Sequence, residues 1–130
     1  MARVERVTET KATRLDVVSV LSGVLVAFAA SLVLAVILAL AVLWGGLGET
    51  ATSWSLRVGA LLAVACGGAF SAKMAQGRGL LHGVLAGLIY SIACVVIASL
   101  VPGIPPLSLF RHLGLGVLAG GIGGVVGVNS

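Results

Sequence analysis

An uncharged stretch between Asp16 and Glu49 is the feature that most constrains what this chain can fold into. Its apolar part, residues 17–44, is longer than the roughly 20 residues that a helix needs to cross the core of a bilayer. Across the whole chain 59% of the residues are hydrophobic and 9% are charged, whereas soluble domains average roughly 25% charged residues. The sequence therefore predicts an integral membrane protein.

Three further segments are long enough to cross. The second is flanked by Arg57 and Lys73, whose long side chains can reach the two interfaces and let a short helix span. The third ends at Pro102, which stops a helix because it lacks a backbone amide. The predicted spans are residues 17–44, 56–72, 79–101 and 110–128. We therefore predict an all-α bundle of four transmembrane helices over residues 17–130, joined by short loops and preceded by a basic tail at residues 1–16.

Four spans take up about 80 of the 130 residues, so no room remains for a soluble catalytic domain. The chain carries 8 Lys and Arg against 4 Asp and Glu. These basic residues form no cluster that could follow a nucleic-acid backbone. Nucleic acid is therefore excluded as a partner, and the lipid bilayer is the expected one.

The distribution of Lys and Arg predicts the orientation, because cytoplasmic loops carry the excess of positive residues. Arg57 and Arg111 lie on one side of the predicted bundle. The other side holds Arg3, Arg6, Lys11, Arg14, Lys73 and Arg78. We therefore expect both termini in the cytoplasm, with Trp44 and Trp54 together at the outer interface.

A cleaved signal peptide is an alternative interpretation of the N-terminal region. The basic tail precedes an apolar run, and Ala39-Leu40-Ala41 resembles a cleavage site. The apolar run ahead of that site exceeds the usual 7 to 15 residues of a signal peptide. An uncleaved signal anchor is the reading we favour.

Small residues recur at every fourth position in each predicted span. Such small-xxx-small ladders let helix backbones approach closely, which is how helices associate in lipid. The ladders are Ser19, Gly23, Ala27, Ser31, Ala35 and Ala39 in span one; Gly59, Ala63, Gly67 and Ser71 in span two; Gly79, Gly83, Gly87 and Ser91 in span three; and Gly116, Gly120 and Gly124 in span four. The candidate residues for helix packing or an oligomer interface are Gly23, Gly67, Gly83, Gly87, Gly116, Gly120 and Gly124.

Span four carries glycine on more than one face, at Gly121, Gly123 and Gly124. Three readings remain open: a helix wedged between neighbours of the same chain, a homo-oligomer interface, or a hinged segment lining a binding site. The sequence also shows a faint internal repeat. Residues 21–27 resemble residues 81–87, and residues 65–68 resemble residues 119–121, which would make the fold two repeated helical hairpins.

Few polar side chains fall inside the spans. Tyr90 lies near mid-bilayer, where its hydroxyl needs a partner, and Ser31 lies at a comparable depth on span one. We expect a hydrogen bond between them, with a pore or ligand contact as the alternative. His82 lies one turn inside span three, where bonding a backbone carbonyl is favoured over ligand binding. Asp16 is read as a solvated aspartate at a helix start rather than as a substrate-binding carboxylate.

The sequence contains no arrangement typical of an enzyme or a metal site. Cys66 and Cys94 both fall inside spans, where packing as small thiols is favoured over a disulfide. His82 and His112 lie at opposite faces, so they cannot share a metal within one chain. Triads, paired carboxylates and phosphate-binding glycine loops are all lacking. We therefore predict a non-enzyme with no cofactor and no metal.

The runs at residues 67–73, 78–90 and 120–129 resemble the small four-span bacterial membrane proteins called YrzE-like. The most specific parts are Gly-Leu-Leu-His-Gly, from Gly79 to Gly83, and the closing Gly-Val-Asn at residues 127–129. The resemblance covers nearly the whole chain. It implies a four-span topology and a bacterial membrane, but no biochemical activity and no site residues.

Two functional families of similar size fit the sequence poorly. Small multidrug exporters depend on a glutamate inside span one, but the first span here has no acidic residue. Fluoride channels have a Thr-Phe-Ser-Thr-like break in span three, which this sequence lacks.

The leading hypothesis is a non-enzymatic scaffold or accessory subunit that acts through helix contacts, either as a homo-oligomer or with another membrane protein. The alternative is a small oligomeric channel or permease for a neutral or weakly charged solute, formed around span four. The lack of charge near mid-membrane favours the scaffold, because ion-coupled transport usually depends on such a group.

Overall fold

The computed structural model describes residues 16–76, 78–103 and 107–130, with the side chains of residues 107–109 excepted. The predicted basic tail lies outside these residues apart from Asp16. The described chain forms four α-helices and no strand. The helices are α1 (Val17–Gly45), α2 (Glu49–Ala75), α3 (Gly79–Ser99) and α4 (Leu107–Asn129). Each is long and apolar enough to cross a membrane.

Helix α2 begins at Glu49, well before the predicted start of the span at residue 56. Glutamate is favourable in a first helical turn because it faces the positive end of the helix dipole. The hydroxyls of Thr52 and Ser53 donate to the carbonyls of Gly48 and Glu49 at 3.1 and 2.9 Å. The predicted connection over residues 45–55 is therefore mostly helical, and the chain reverses at Gly46, whose φ is 59°.

The connection between α2 and α3 is similarly tight. Gln76 ends α2 with a φ of 50°, and Arg78 precedes α3 with a φ of 46°. Both residues adopt the left-handed conformation, which turns the chain sharply. The start of α3 is thereby held close to the end of α2.

Helix α2 contacts all three other helices, and α3 also contacts α1 and α4. Within the described ranges α1 and α4 do not contact each other. The centre of the bundle is a small cluster of Ala27, Val64 and Tyr90, against which Ala119 packs. All four helices thus contribute to one core.

Burial is concentrated at one end of the bundle, which we call the closed end. There α1 and α3 begin while α2 and α4 end. The buried residues lie at positions 19–27 of α1, 59–72 of α2, 79–91 of α3 and 116–127 of α4. In contrast, no residue of α1 from Phe28 to Gly45 is buried. The bundle is therefore tightly packed at the closed end and loosely packed at the other.

Candidate functional site

Helices α1 and α2 approach most closely where Gly23 faces Gly67. A methyl group added at Gly23 would lie 2.6 Å from the carbonyl oxygen of Gly67 and 2.5 Å from Cβ of Ser71. One added at Gly67 would lie 2.5 Å from the carbonyl oxygen of Gly23 and 2.6 Å from Cβ of Ala27. These distances are below any normal carbon contact, so only glycine permits this approach of the two backbones.

Helices α3 and α4 approach in the same way. A methyl group at Gly83 would collide with the carbonyl oxygen of Gly120, and one at Gly120 would collide with that of Gly83. Gly87 faces Gly116, and Gly124 faces Gly79. The seven glycines predicted for helix packing or an oligomer interface therefore all lie between helices of this one chain.

Helix α4 also presents glycines to α2. Methyl groups at Gly123 and Gly127 would collide with the carbonyl oxygens of Ala65 and Ala69. Helix α4 is thus wedged between α2 and α3 and buries small residues on both sides. This geometry corresponds to the first of the three interpretations of span four, a helix wedged between neighbours of the same chain.

An aromatic and hydroxyl group occupies the middle of the bundle. The rings of Phe28 on α1 and Tyr90 on α3 have centroids 4.8 Å apart and are tilted by 49°. The Tyr90 hydroxyl lies near the Ser31 hydroxyl and the thiol of Cys94. The Ser31 hydroxyl donates to the carbonyl of Phe28 at 2.8 Å, which leaves its oxygen to accept from Tyr90. The structure therefore places Tyr90 close to Ser31, the partner expected from their similar predicted depth in the bilayer.

A second polar group, which we call the His82 cluster, lies at the closed end and comprises Asp16, Ser19, Arg78 and His82. His82 is 4% exposed. Its Nδ1 donates to the carbonyl oxygen of Arg78 at 3.2 Å, and its Nε2 accepts from the backbone N–H of Asp16 at 3.3 Å. The buried hydroxyl of Ser19 donates to the Asp16 carboxylate at 2.9 Å. The cluster thereby joins the start of α1 to the start of α3.

Sequence reasoning anticipated only part of this cluster. A carbonyl partner for His82 was expected, and Arg78 supplies it from one turn earlier in the chain. The amide of Asp16 was missed, because it lies 66 residues away and no local pattern marks the pairing. Ser19 was noticed only as a small residue, although its hydroxyl holds the Asp16 carboxylate.

Ser71, Cys66 and Cys94 are further polar side chains within the helices. Ser71 is fully buried between α1 and α2, and its hydroxyl has no hydrogen-bond partner. Cys66 is exposed on α2, Cys94 is half-buried on α3, and both thiols are free. Within the described ranges no three His, Cys, Asp or Glu side chains are grouped as a metal site would require.

An apolar groove lies between α1 and α2 in the loosely packed half of the bundle, with a volume of about 520 Å³. Phe28 and Ser31, at one end of its lining, belong to the mid-bundle group described above. Further along, the groove is lined by Ala35 and Leu38 on α1 and by Leu56, Gly59 and Ala60 on α2. Small residues on both helices leave this space open.

Comparison with known proteins identifies a family but no activity. The model of the family described as "Protein of unknown function (DUF3792)" matches residues 16–127. No curated protein and no solved structure matches the chain. The match covers all four helices, and the chain therefore belongs to this family of unknown function.

Proposed function

We propose that this protein is a non-enzymatic scaffold or accessory subunit of a bacterial plasma membrane, with both termini in the cytoplasm. It acts by binding a transmembrane helix of another membrane protein in the groove between α1 and α2. The observation that carries this proposal is that every residue of α1 from Phe28 to Gly45 is exposed or only half-buried.

The small-residue ladder of α1 supports a helix as the occupant. Its first half, Ser19, Gly23 and Ala27, is buried against the rest of the bundle. Its second half runs through Ser31 into Ala35 and Ala39, which are exposed. Lipid chains are as apolar as leucine, so a small-residue face stabilises contacts with a helix that can approach closely. The α1–α2 interface therefore continues into a surface suited to one more helix.

The glycine-rich faces of α3 and α4 are less suited to an external partner. Gly83, Gly87, Gly116, Gly120 and Gly124 already contact one another within the chain. A channel formed around α4 by several copies would have to break these contacts or leave α4 lined only by its exposed aliphatic residues. This geometry favours the scaffold over the channel or permease.

Site-directed photocrosslinking in native membranes tests the proposal. A photoreactive side chain is placed at Ala35, inside the groove, or at Leu118, a residue of α4 that is 63% exposed. We expect Ala35 to capture one identified membrane protein in stoichiometric amount and Leu118 to capture only lipid. The partner's own crosslinked residue should lie on a transmembrane helix with a small residue at the contact.

A pair of phenylalanine substitutions on α1 supplies the control. Ala35→Phe fills the groove, whereas Val36→Phe adds the same ring at an exposed position of α1 that does not line it. Ala35→Phe should remove co-purification of the partner, and Val36→Phe should preserve it. Equal capture from Ala35 and Leu118, or equal binding by the two variants, would overturn the proposal. If the photoreactive side chain at Ala35 captured a second copy of this chain, the partner would be the protein itself rather than a different membrane protein.

A further inference from the structure

We infer that His82 is a proton-operated latch that fastens the start of α1 to the start of α3 and releases it when the imidazole is protonated. This device is separate from the groove of the proposed function, because it lies at the closed end of the bundle. It rests on the two hydrogen bonds and the burial of His82.

The hydrogen bonds of His82 require a neutral ring with one particular tautomer. The Arg78 carbonyl can only accept, so Nδ1 carries the proton. The Asp16 amide can only donate, so Nε2 must be the unprotonated nitrogen. A neutral imidazole protonated at Nδ1 satisfies both partners at once, and no other form of the ring does.

Protonation adds one proton from solution to Nε2 and turns it from an acceptor into a donor. Two N–H groups then face each other, and the Asp16 amide loses its acceptor. Because His82 is only 4% exposed, little water can reach the new N–H at Nε2. An unpaired buried N–H on the ring is costly, so the contact between His82 and the start of α1 opens.

The charged groups around the ring determine how it can respond. Asp16 is the N-cap residue of α1, Lys73 is near the end of α2, and Arg78 is the N-cap residue of α3. The last turn of α4 carries no acidic or basic side chain. The Asp16 carboxylate is the one negative side chain of the His82 cluster, and it is already held by Ser19. To pair with an imidazolium, this carboxylate must turn one of its two oxygens toward Nε2. That movement also rearranges the first turn of α1.

The latch therefore couples proton concentration on that side of the membrane to the position at which α1 begins. Histidine is the side chain whose protonation changes in the physiological range.

Hydrogen–deuterium exchange of the full chain in lipid nanodiscs tests the latch. Exchange of the segment containing residues 16–22 is compared at pH 7.5 and pH 5.5, after correction for the intrinsic effect of pH on exchange. In the wild type we expect it to rise about fivefold at the lower pH, as one hydrogen bond is lost. His82→Gln keeps a neutral acceptor oxygen and should show no such rise. His112→Gln, which changes the other histidine, should retain the wild-type response.

A second measurement on the unmodified protein covers the case in which His82→Gln fails to fold. The ¹⁵N chemical shifts of the His82 ring at neutral pH report which nitrogen carries the proton. The latch predicts protonation at Nδ1. A ring protonated at Nε2, or a pH response equally large in wild type and His82→Gln, would overturn the inference.

Discussion

Gly23 and Gly83 hold equivalent positions in two helical hairpins. Gly23 on α1 packs against the backbone of Gly67 on α2, and Gly83 on α3 packs against that of Gly120 on α4. One turn further along, Ala27 contacts Gly67 and Gly87 contacts Gly120. These are the positions that the faint internal repeat of the sequence aligns. The two hairpins are therefore built around the same close crossing.

The arrangement of the two hairpins is less regular than the hairpins themselves. Helix α2 of the first hairpin contacts α3 of the second, but the equivalent pair, α4 and α1, makes no contact within the described ranges. This difference leaves α1 with fewer neighbours than α3. The groove lies beside α1, in this less covered part of the bundle.

Because the two glycine crossings are equivalent, replacing the glycine in either one should lower the free energy of unfolding by a similar amount. Gly23→Ala and Gly83→Ala each place a methyl group against a facing backbone, so each should lower the free energy of unfolding by about 1–3 kcal/mol. The measurement is reversible unfolding in mixed micelles. Gly114→Ala is the control, since nothing lies within 4 Å of the added methyl group. A large loss at one glycine and none at the other would show that the crossings are not equivalent.

Gly120→Leu should damage the fold of the single chain rather than association between chains. Gly120 lies against both Gly83 and Gly87, so a leucine there separates α3 from α4. We expect a loss of folded protein and greater protease sensitivity of α4, measured at a dilution in lipid where the wild type is monomeric. Gly114→Leu should leave both properties unchanged. Normal stability of Gly120→Leu with altered oligomeric state would contradict this expectation.

The hydrogen bond expected between the Tyr90 and Ser31 hydroxyls should be measurable as a coupling energy. A double-mutant cycle of Tyr90→Phe and Ser31→Ala removes the two hydroxyls separately and together. Hydrogen bonds between membrane helices average about 0.6 kcal/mol and reach about 1.7 kcal/mol, and we expect a coupling in that range. The control cycle pairs Tyr90→Phe with Ser99→Ala, whose hydroxyl bonds within its own helix to Val96. A coupling of zero for the first cycle would show that the two hydroxyls do not interact.

The orientation predicted from Lys and Arg can be tested by cysteine labelling in intact cells. In a chain with Cys66→Ser and Cys94→Ser, a single cysteine at Thr50 marks the loosely packed end and one at Gln76 marks the closed end. A membrane-impermeant maleimide should label Thr50→Cys in intact cells and Gln76→Cys only after lysis. The reverse pattern would place both termini outside the cytoplasm.

Much of this fold is predictable from the sequence because it is local. Uncharged runs define the helices, and a glycine or proline marks several of their ends. The carbonyl partner of His82 follows from its place one turn into α3. By contrast, the early start of α2 at Glu49 was missed, since the minimum span of a bilayer does not limit how far a helix extends beyond it.

The sequence by itself determined that the chain forms four apolar helices with small residues at contact spacing, because these properties depend on neighbours within a turn or two. Tertiary structure alone decided which ladders meet. Small residues on several faces allow several pairings, and only the packed bundle shows α4 between α2 and α3. It also decided that α1 keeps an exposed face and that His82 reaches the amide of Asp16, since both depend on how distant helices stack in space.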